Sequence, residues 1–309
     1  MSLSRNILLW ASENKWMQNK IPAFKFVKKA VKKFMPGDKL EDALKAASRF
    51  ELLGIHAVLT HLGENITKIE EGENVCNHYL NLVDEIDIRK LNIEISLKLT
   101  QLGFDISGEE TYNRFKLIAQ KVKNKLGSII WIDMEGSAYT QNTIDFYKKV
   151  ITESDNVGLC LQAYLYRTEK DVQELIEAGA NIRLVKGAYK EPTEIAFEQK
   201  KDVDKNYIHL AELLLHASQE NKIRAAFGTH DENIICSLIK WSKQNNIQKD
   251  KIEFQMLYGI KTEKQKNLSQ RGYTVRVLIS YGEYWYPWYM RRLAERPANV
   301  LFVLKNMFS

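Results

Sequence analysis

Two adjacent arginines, Arg291 and Arg292, sit in the segment Tyr286-Pro287-Trp288-Tyr289-Met290-Arg291-Arg292-Leu293-Ala294-Glu295-Arg296-Pro297. Pro287 suits the opening turn of a helix, where its missing N–H leaves no bond unmade. Glu295 lies four residues from Arg291 and three from Arg292, so on a helix it can pair with either. An arginine pair tethered by one carboxylate beside aromatic walls is a receptor for a small carboxylate. The same residues also read as a surface helix whose exposed ion pairs contribute only about 0–1 kcal/mol each. The rest of the chain has to separate the two readings.

Other chemistry-bearing residues fall at the ends of short apolar runs. These ends read Ser96-Leu97-Lys98-Leu99, Trp131-Ile132-Asp133-Met134-Glu135 and Leu161-Gln162-Ala163-Tyr164. Further along come Arg183-Leu184-Val185-Lys186-Gly187-Ala188-Tyr189, Phe227-Gly228-Thr229-His230-Asp231 and Phe254-Gln255-Met256-Leu257-Tyr258-Gly259. A Lys or Asp inside an apolar strand is costly unless it is paired or used. For any one of them a structural ion pair explains as much as a site does. Six such ends gathered on one rim favour a site. The cations Lys98, Arg183, Lys186, His230, Arg291 and Arg292 suit an anionic substrate together with an electron-rich cofactor. No HExxH, GxxxxGK[ST] or GxSxG occurs, and the six histidines have no metal-ligand spacing.

These ends need strands to carry them. Apolar, β-branched runs predict strands at 56–60, 93–99, 129–133, 157–162, 182–186, 224–228, 252–256 and 274–279. Amphipathic helices are expected between them. Ser107 and Glu110 form a capping-box pattern, Tyr112, Phe115, Ile118, Val122 and Leu126 trace one face, and Gly127 stops the helix. Thr168 is expected to cap a helix ended by Gly179. Alternating β and α elements argue for a parallel sheet covered by helices. Eight repeats fit a closed (βα)8 barrel, with chemistry at the C-terminal strand ends. A doubly wound open sheet is the alternative, but no GxGxxG is present to mark its first turn. The expected fold class is therefore α/β, a distorted (βα)8 TIM-type barrel over residues 46–309 preceded by a helical segment over 1–45.

Composition is that of an ordinary soluble chain: 309 residues, 45% hydrophobic and 27% charged, with no apolar run near the ~20 residues that cross a bilayer. No signal peptide is evident. Three distant cysteines, Cys76, Cys160 and Cys236, argue against a disulfide framework and fit a reducing compartment. The net charge of +6 gathers in part between Lys15 and Lys45, where Phe24, Val27, Val31 and Phe34 interleave with lysines at near-helical spacing. That pattern reads as a helix docked on the core or as a contact with an anionic membrane surface. Nucleic acid is not expected, because no recognition motif accompanies the charge.

From about Leu40 onward the chain resembles proline dehydrogenase, the FAD enzyme that oxidises L-proline. The resemblance rests on Ser96-Leu97-Lys98-Leu99, Arg183-Leu184-Val185-Lys186-Gly187-Ala188-Tyr189, Thr229-His230 and Arg291-Arg292-Leu293-Ala294-Glu295-Arg296-Pro297 taken together. It implies a distorted (βα)8 barrel holding non-covalent FAD at the strand ends. Arg291, Arg292 and Lys98 would bind the substrate carboxylate, and Glu295 would hold an arginine in place. Asp133, Tyr189 and Leu257 would line the proline pocket. Met134, Gln162, Arg183, Lys186, Gly187, Ala188, Thr229 and His230 would contact the flavin. The implied reaction passes a hydride from the carbon beside the ring nitrogen to flavin N5, giving Δ1-pyrroline-5-carboxylate, with electrons going on to a membrane quinone.

Two positions depart from the family's pattern. Leu278 stands where the family usually carries a tyrosine against the proline ring, and Trp288 stands where it often carries another tyrosine. Both bear on proline against hydroxyproline, so a hydroxyproline or other cyclic imino-acid dehydrogenase is the alternative. A proline-sensing barrel without catalysis is a further one. The absence of aldehyde dehydrogenase or DNA-binding sequence implies a monofunctional chain whose product passes to a separate pyrroline-5-carboxylate dehydrogenase. A cytoplasmic location is expected, with peripheral contact at the inner membrane. No metal is expected.

Overall fold

The computed structural model describes residues 7–8, 10–12, 14–21, 27, 30–220 and 222–295. Its strands are β1 (His56–His61), β2 (Ile93–Leu97), β3 (Ile130–Ile132), β4 (Val157–Gln162), β5 (Asn181–Val185), β6 (Ala225–Gly228), β7 (Glu253–Leu257) and β8 (Thr274–Tyr281). All neighbours pair in parallel, and β8 pairs with β1 to close the ring, setting Ala57 opposite Val277. Strands covered on both faces need apolar side chains throughout; β2, β4 and β7 are buried along their whole length.

Each expected strand is present, and the differences lie at the ends. Lys98 and Leu99 leave β2: Lys98 is the N-cap of the short helix Leu99–Leu102. Asp133 falls just past β3, although its N–H still donates to the Leu97 carbonyl at 2.8 Å. In the helix Gly108–Leu126, Ser107 Oγ accepts from the Glu110 N–H at 3.2 Å, and Gly127 ends it in a left-handed conformation. The reciprocal half of the capping box is replaced, because the Ser107 N–H donates to the Gly103 carbonyl. Thr168 is the first residue inside its helix rather than the cap, since its hydroxyl donates to the Gln162 carbonyl at 2.6 Å. The boundary expected at residue 45 falls within the helix Leu40–Glu51.

The lower half of the barrel interior holds charges. Arg224 donates to Glu94 and Glu253, and Arg276 lies 3.2 Å from Glu94 and 3.4 Å from Glu253. Trp131 sits above them, its Nε1–H donating to Glu94 at 2.7 Å. A cavity of about 490 Å³ opens at this N-terminal face, lined in part by Lys90, Glu94, Arg224 and Arg276. Its arginines are paired with its carboxylates, which marks this end as structural.

Ahead of the barrel lie a helix at Lys15–Lys20 and an apolar stripe. Val27, Val31, Phe34 and Met35 are buried in one cluster with Leu62, Leu257 and the helix Trp285–Glu295. The Phe34 and Tyr289 rings are 5.8 Å apart. The segment approaches so closely that a Cβ on Gly259 would lie 1.6 Å from the Lys33 carbonyl oxygen. Gly259 also has φ +72°, a turn that glycine adopts without strain. Phe24, Lys28 and Lys29 lie outside the described residues.

Candidate active site

Two long cations from distant parts of the chain converge on one carboxylate at the C-terminal rim. The carboxylate is Glu64, three residues past the end of β1. Arg291 grips it with both terminal nitrogens, at 2.9 and 3.0 Å, and the Lys98 ammonium donates to the same group. The backbone holds each party. The Leu62 N–H extends the β1–β8 ladder to the Tyr281 carbonyl at 2.8 Å. Gln101 donates to the His61 carbonyl at 2.6 Å and accepts from the Lys98 N–H at 3.1 Å, tying the end of β1 to the Lys98 cap. Pro287 lies in the first turn of the helix Trp285–Glu295, where its missing N–H is tolerated, and the helix carries Arg291 over the rim.

Electrostatics follow from this crowding. Burial alone would raise the Glu64 carboxyl, but Lys98 and Arg291 outweigh it and hold it well below the usual carboxylate range. Burial opposes the Lys98 charge, yet Tyr189 and Glu64 leave its pKa raised. Glu135 behaves oppositely: burial pushes its carboxyl up, against Lys98 and the Thr100 hydroxyl that donates to it at 2.7 Å. The Tyr189 ring lies 5.4 Å from the Arg291 guanidinium, and burial raises its phenol.

Beside this group lies a second one. Arg183 rises from β5 into the barrel, over the Trp131 ring at 5.2 Å. It donates to Asp133, to Ser96 Oγ at 2.8 Å and to Gln255 at 3.2 Å. Ser96 also donates to Asp133 at 2.9 Å. Around the rim, Lys186 donates to Asp204 and Asp231. Burial would raise the Asp231 carboxyl, but Lys186 and Lys200 hold it far down. His230 Nε2 accepts from the Leu257 N–H at 2.7 Å, which leaves the ring proton to Nδ1 in the neutral form. Thr229 Oγ1 accepts from the Asp231 N–H at 3.1 Å.

The remaining rim is built for close approach. Gln162 is buried at the end of β4, and its Oε1 has no hydrogen-bond partner. Gly187 has φ +115°, and a Cβ there would lie 2.2 Å from the Tyr164 ring. Ala188 is half-buried beside it, and Met134 is buried below. Leu257 packs with the Arg291 helix, on which Trp288 is half-buried in the same cluster, while half-buried Leu278 bridges that cluster and the Trp131 layer.

The residues singled out in the sequence thus lie at or just past the C-terminal strand ends or on the helix that crosses them, apart from Arg183 midway along β5, Leu278 within β8, and the side chain of Glu295, which is outside the described residues along with Arg296 and Pro297. Among the described side chains, the carboxylate that tethers Arg291 is Glu64. Arg292 is half-buried on that helix. Sequence reasoning missed Glu64, and it quoted Ser96, Gln255 and Glu135 in the strand ends without giving them a role. The end of β1, His61-Leu62-Gly63-Glu64, is a strand end with a polar residue like the six others, and that was its signal.

Comparisons with known proteins agree with this geometry. A sequence model of the family described as proline dehydrogenase matches residues 43–305. The chain is 35% identical to Proline dehydrogenase 1 of Bacillus subtilis (strain 168) over 98% of each chain. It is 36% identical to Proline dehydrogenase of Deinococcus radiodurans over 89% of each. Among solved structures, proline utilization A from Bdellovibrio bacteriovorus, inactivated by N-propargylglycine, superimposes with a TM-score of 0.80 at 23% identity. That match covers 94% of this chain and 38% of the larger one, and it bears on the fold. With a family match across the barrel and relatives aligned end to end, this chain belongs to the proline dehydrogenase family.

Proposed function

We propose that this chain oxidises L-proline to Δ1-pyrroline-5-carboxylate with non-covalently bound FAD. One observation carries the reading: Lys98 and Arg291 already converge on a single carboxylate at the strand-end rim. The substrate carboxylate takes the place of Glu64 between them, and Arg292 on the same helix adds a third cation. Positioning of this kind is a large part of what a protein contributes to a cofactor reaction. Tyr189, Asp133 and Leu257 wall the proline ring.

The residues present fit a flavin. The unpartnered Gln162 Oε1 offers a buried acceptor, and the bare backbone at Gly187 lets the Tyr164 ring pack against it beside that site. Arg183 supplies a buried cation from below, which favours an acceptor that gains negative charge. Lys186, Ala188, Thr229, His230 and the Met134 backbone complete the cradle. When bound, the flavin supplies the two-electron acceptor, taking a hydride from the carbon beside the ring nitrogen while the nitrogen gives up its proton.

Electrons pass onward to a membrane quinone, and the product passes to a separate pyrroline-5-carboxylate dehydrogenase. No helix among the described residues is long and apolar enough to cross a membrane. A cytoplasmic protein in peripheral contact with the cytoplasmic face of the inner membrane fits the N-terminal segment, where Trp10 and Trp16 are 60% and 68% exposed near Lys15 and Lys20.

The test is spectroscopic and kinetic together. Purified protein is expected to be yellow, to release FAD into acid, and to bleach anaerobically with L-proline. Turnover with a quinone is expected to be faster in anionic than in neutral vesicles. Recovery of FMN, or no bleaching of a flavin-loaded sample, would refute the assignment and leave the proline-sensing barrel.

Hydroxyproline is the second reading, favoured by the half-buried aliphatic Leu278. A tyrosine there adds a wall over the ring and restores apolar burial of about 1–2 kcal/mol. Leu278→Tyr is expected to improve the proline KM and to lower the kcat/KM ratio of trans-4-hydroxy-L-proline to proline. An unchanged ratio would mean that Trp288 supplies the wall instead.

A further inference from the structure

Glu191 belongs to none of the groups that grip substrate or cofactor in the proposed function, yet three donors from two other loops meet on its carboxylate. It lies in the long connection between β5 and the helix Lys200–Gln219, two residues beyond Tyr189. Its Oε1 accepts from the Ser137 N–H at 2.8 Å and from the Tyr164 hydroxyl at 3.2 Å. Its Oε2 accepts from the Ser137 hydroxyl.

Ser137 opens the helix Ser137–Ile151, whose N-cap is Gly136 and which therefore has no capping side chain of its own. Glu191 supplies that cap from 54 residues away, placing a negative charge at the positive end of the helix. Gly136 is three residues after Asp133. The contact thus joins the loop that carries Tyr189 to the loop that carries Asp133.

The two arms of the Tyr189 connection are held independently. The first continues the parallel ladder, with the Tyr164 N–H donating to the Lys186 carbonyl at 2.9 Å. The second forms an antiparallel bridge between Leu165 and Ala196, and the Phe197 N–H donates to the Tyr164 carbonyl at 2.8 Å. Between these anchors Lys190, Pro192, Thr193 and Glu194 are exposed. The Tyr166 hydroxyl also holds the tip, donating to the Thr193 carbonyl at 3.0 Å, but it is Glu191 that ties the tip to the Asp133 loop at the barrel rim.

We infer that Glu191 is a positioning residue: a latch that fixes the Tyr189 loop against the Asp133 loop and so sets the width of the pocket opposite Arg291. Its effect on proline rests on the proposed function; its effect on the loop does not. The consequence for kinetics is directional. Loosening the tip leaves Arg183, the flavin cradle and the Arg291 grip intact, so the loss falls on substrate binding more than on turnover.

Hydrogen exchange and steady-state kinetics on Glu191→Ala, Glu191→Gln and wild type, each loaded with FAD, test both halves. Glu191→Ala is expected to speed amide exchange over residues 189–194 at least tenfold and to raise the proline KM at least fivefold, with kcat lowered less than threefold and FAD content unchanged. Glu191→Gln still accepts from Ser137 and Tyr164 and is expected to recover most of both effects. Unchanged exchange in Glu191→Ala overturns the latch. Faster exchange with an unchanged KM overturns its link to the pocket. Equal losses in Gln and Ala variants, with a lowered Tm in each, would mean a general loss of stability and also overturn it. If wild type does not oxidise proline, the exchange arm still decides whether the latch exists.

Discussion

Replacing Arg291 with methionine should cut kcat/KM for proline at least a hundredfold. Methionine keeps much of the apolar stem and removes both donors. A bound carboxylate then loses its bidentate, charge-assisted partner, a loss on the order of 3 kcal/mol in the transition state. Lys98 remains, so a residual grip survives, and FAD content should not change because Arg291 is committed to Glu64 and Tyr189 in the free protein. Arg292→Met should show a loss of the same order. Steady-state kinetics on both variants, with flavin content measured alongside, decide the matter. Near-normal values in both would mean that the helix Trp285–Glu295 is only a structural cover.

The second large effect concerns stability. Arg224 donates to Glu94 at 2.6 Å and to Glu253 at 2.6 and 3.1 Å within the barrel. Arg224→Met leaves two buried carboxylates with Arg276 as their remaining cation. Breaking a buried network by removing one partner costs about 3–5 kcal/mol. For a domain of this size the Tm should fall by roughly 5–8 °C. The pH dependence identifies the cause. Burial would raise the Glu253 carboxyl, but Arg224 and Arg276 keep it below its ordinary value. In wild type the carboxylate therefore stabilises the fold above its unfolded pKa, and this is lost as pH falls through the lower folded value. Without Arg224, burial moves the folded pKa up, and protonation relieves the unpaired charge. The deficit of the variant should be largest near pH 8 and shrink toward pH 5.5 in thermal denaturation. A deficit independent of pH would trace the loss to packing around Trp131.

Much of this was legible in the sequence because buried parallel strands need continuous apolar runs and leave few alternatives. Residues 157–162 and 274–279 read as strands and are strands, β8 running two residues further to Tyr281. The rim was legible for the same reason, since Lys98, Asp133 and Lys186 break apolar runs at their ends. What could not be read was pairing. Spacing brings Glu295 within reach of Arg291, but no local spacing announces Glu64, which reaches it from 227 residues away. Asp133 and Arg183 each carried a separate expected role, and they meet directly and through Ser96 only because β2, β3 and β5 curve around one interior. Thr168 fails as a cap because a strand-end carbonyl competes for its hydroxyl. Local spacing carries no information about contacts that ring closure creates.

The burial of Val27, Val31 and Phe34 against the helix Trp285–Glu295 also sets an order of assembly. The partners are separated by roughly 250 residues, and joining them closes one of the longest loops in the chain. During synthesis the N-terminal stripe emerges before any strand, while its partner is made after all eight. Local βα units can form as they appear, but contacts of such high sequence separation come late. On the proposed function, carboxylate recognition is thus the last property the folding chain acquires. A chain cut short before residue 285 possesses every strand of the barrel and lacks the arginines proposed to grip its substrate.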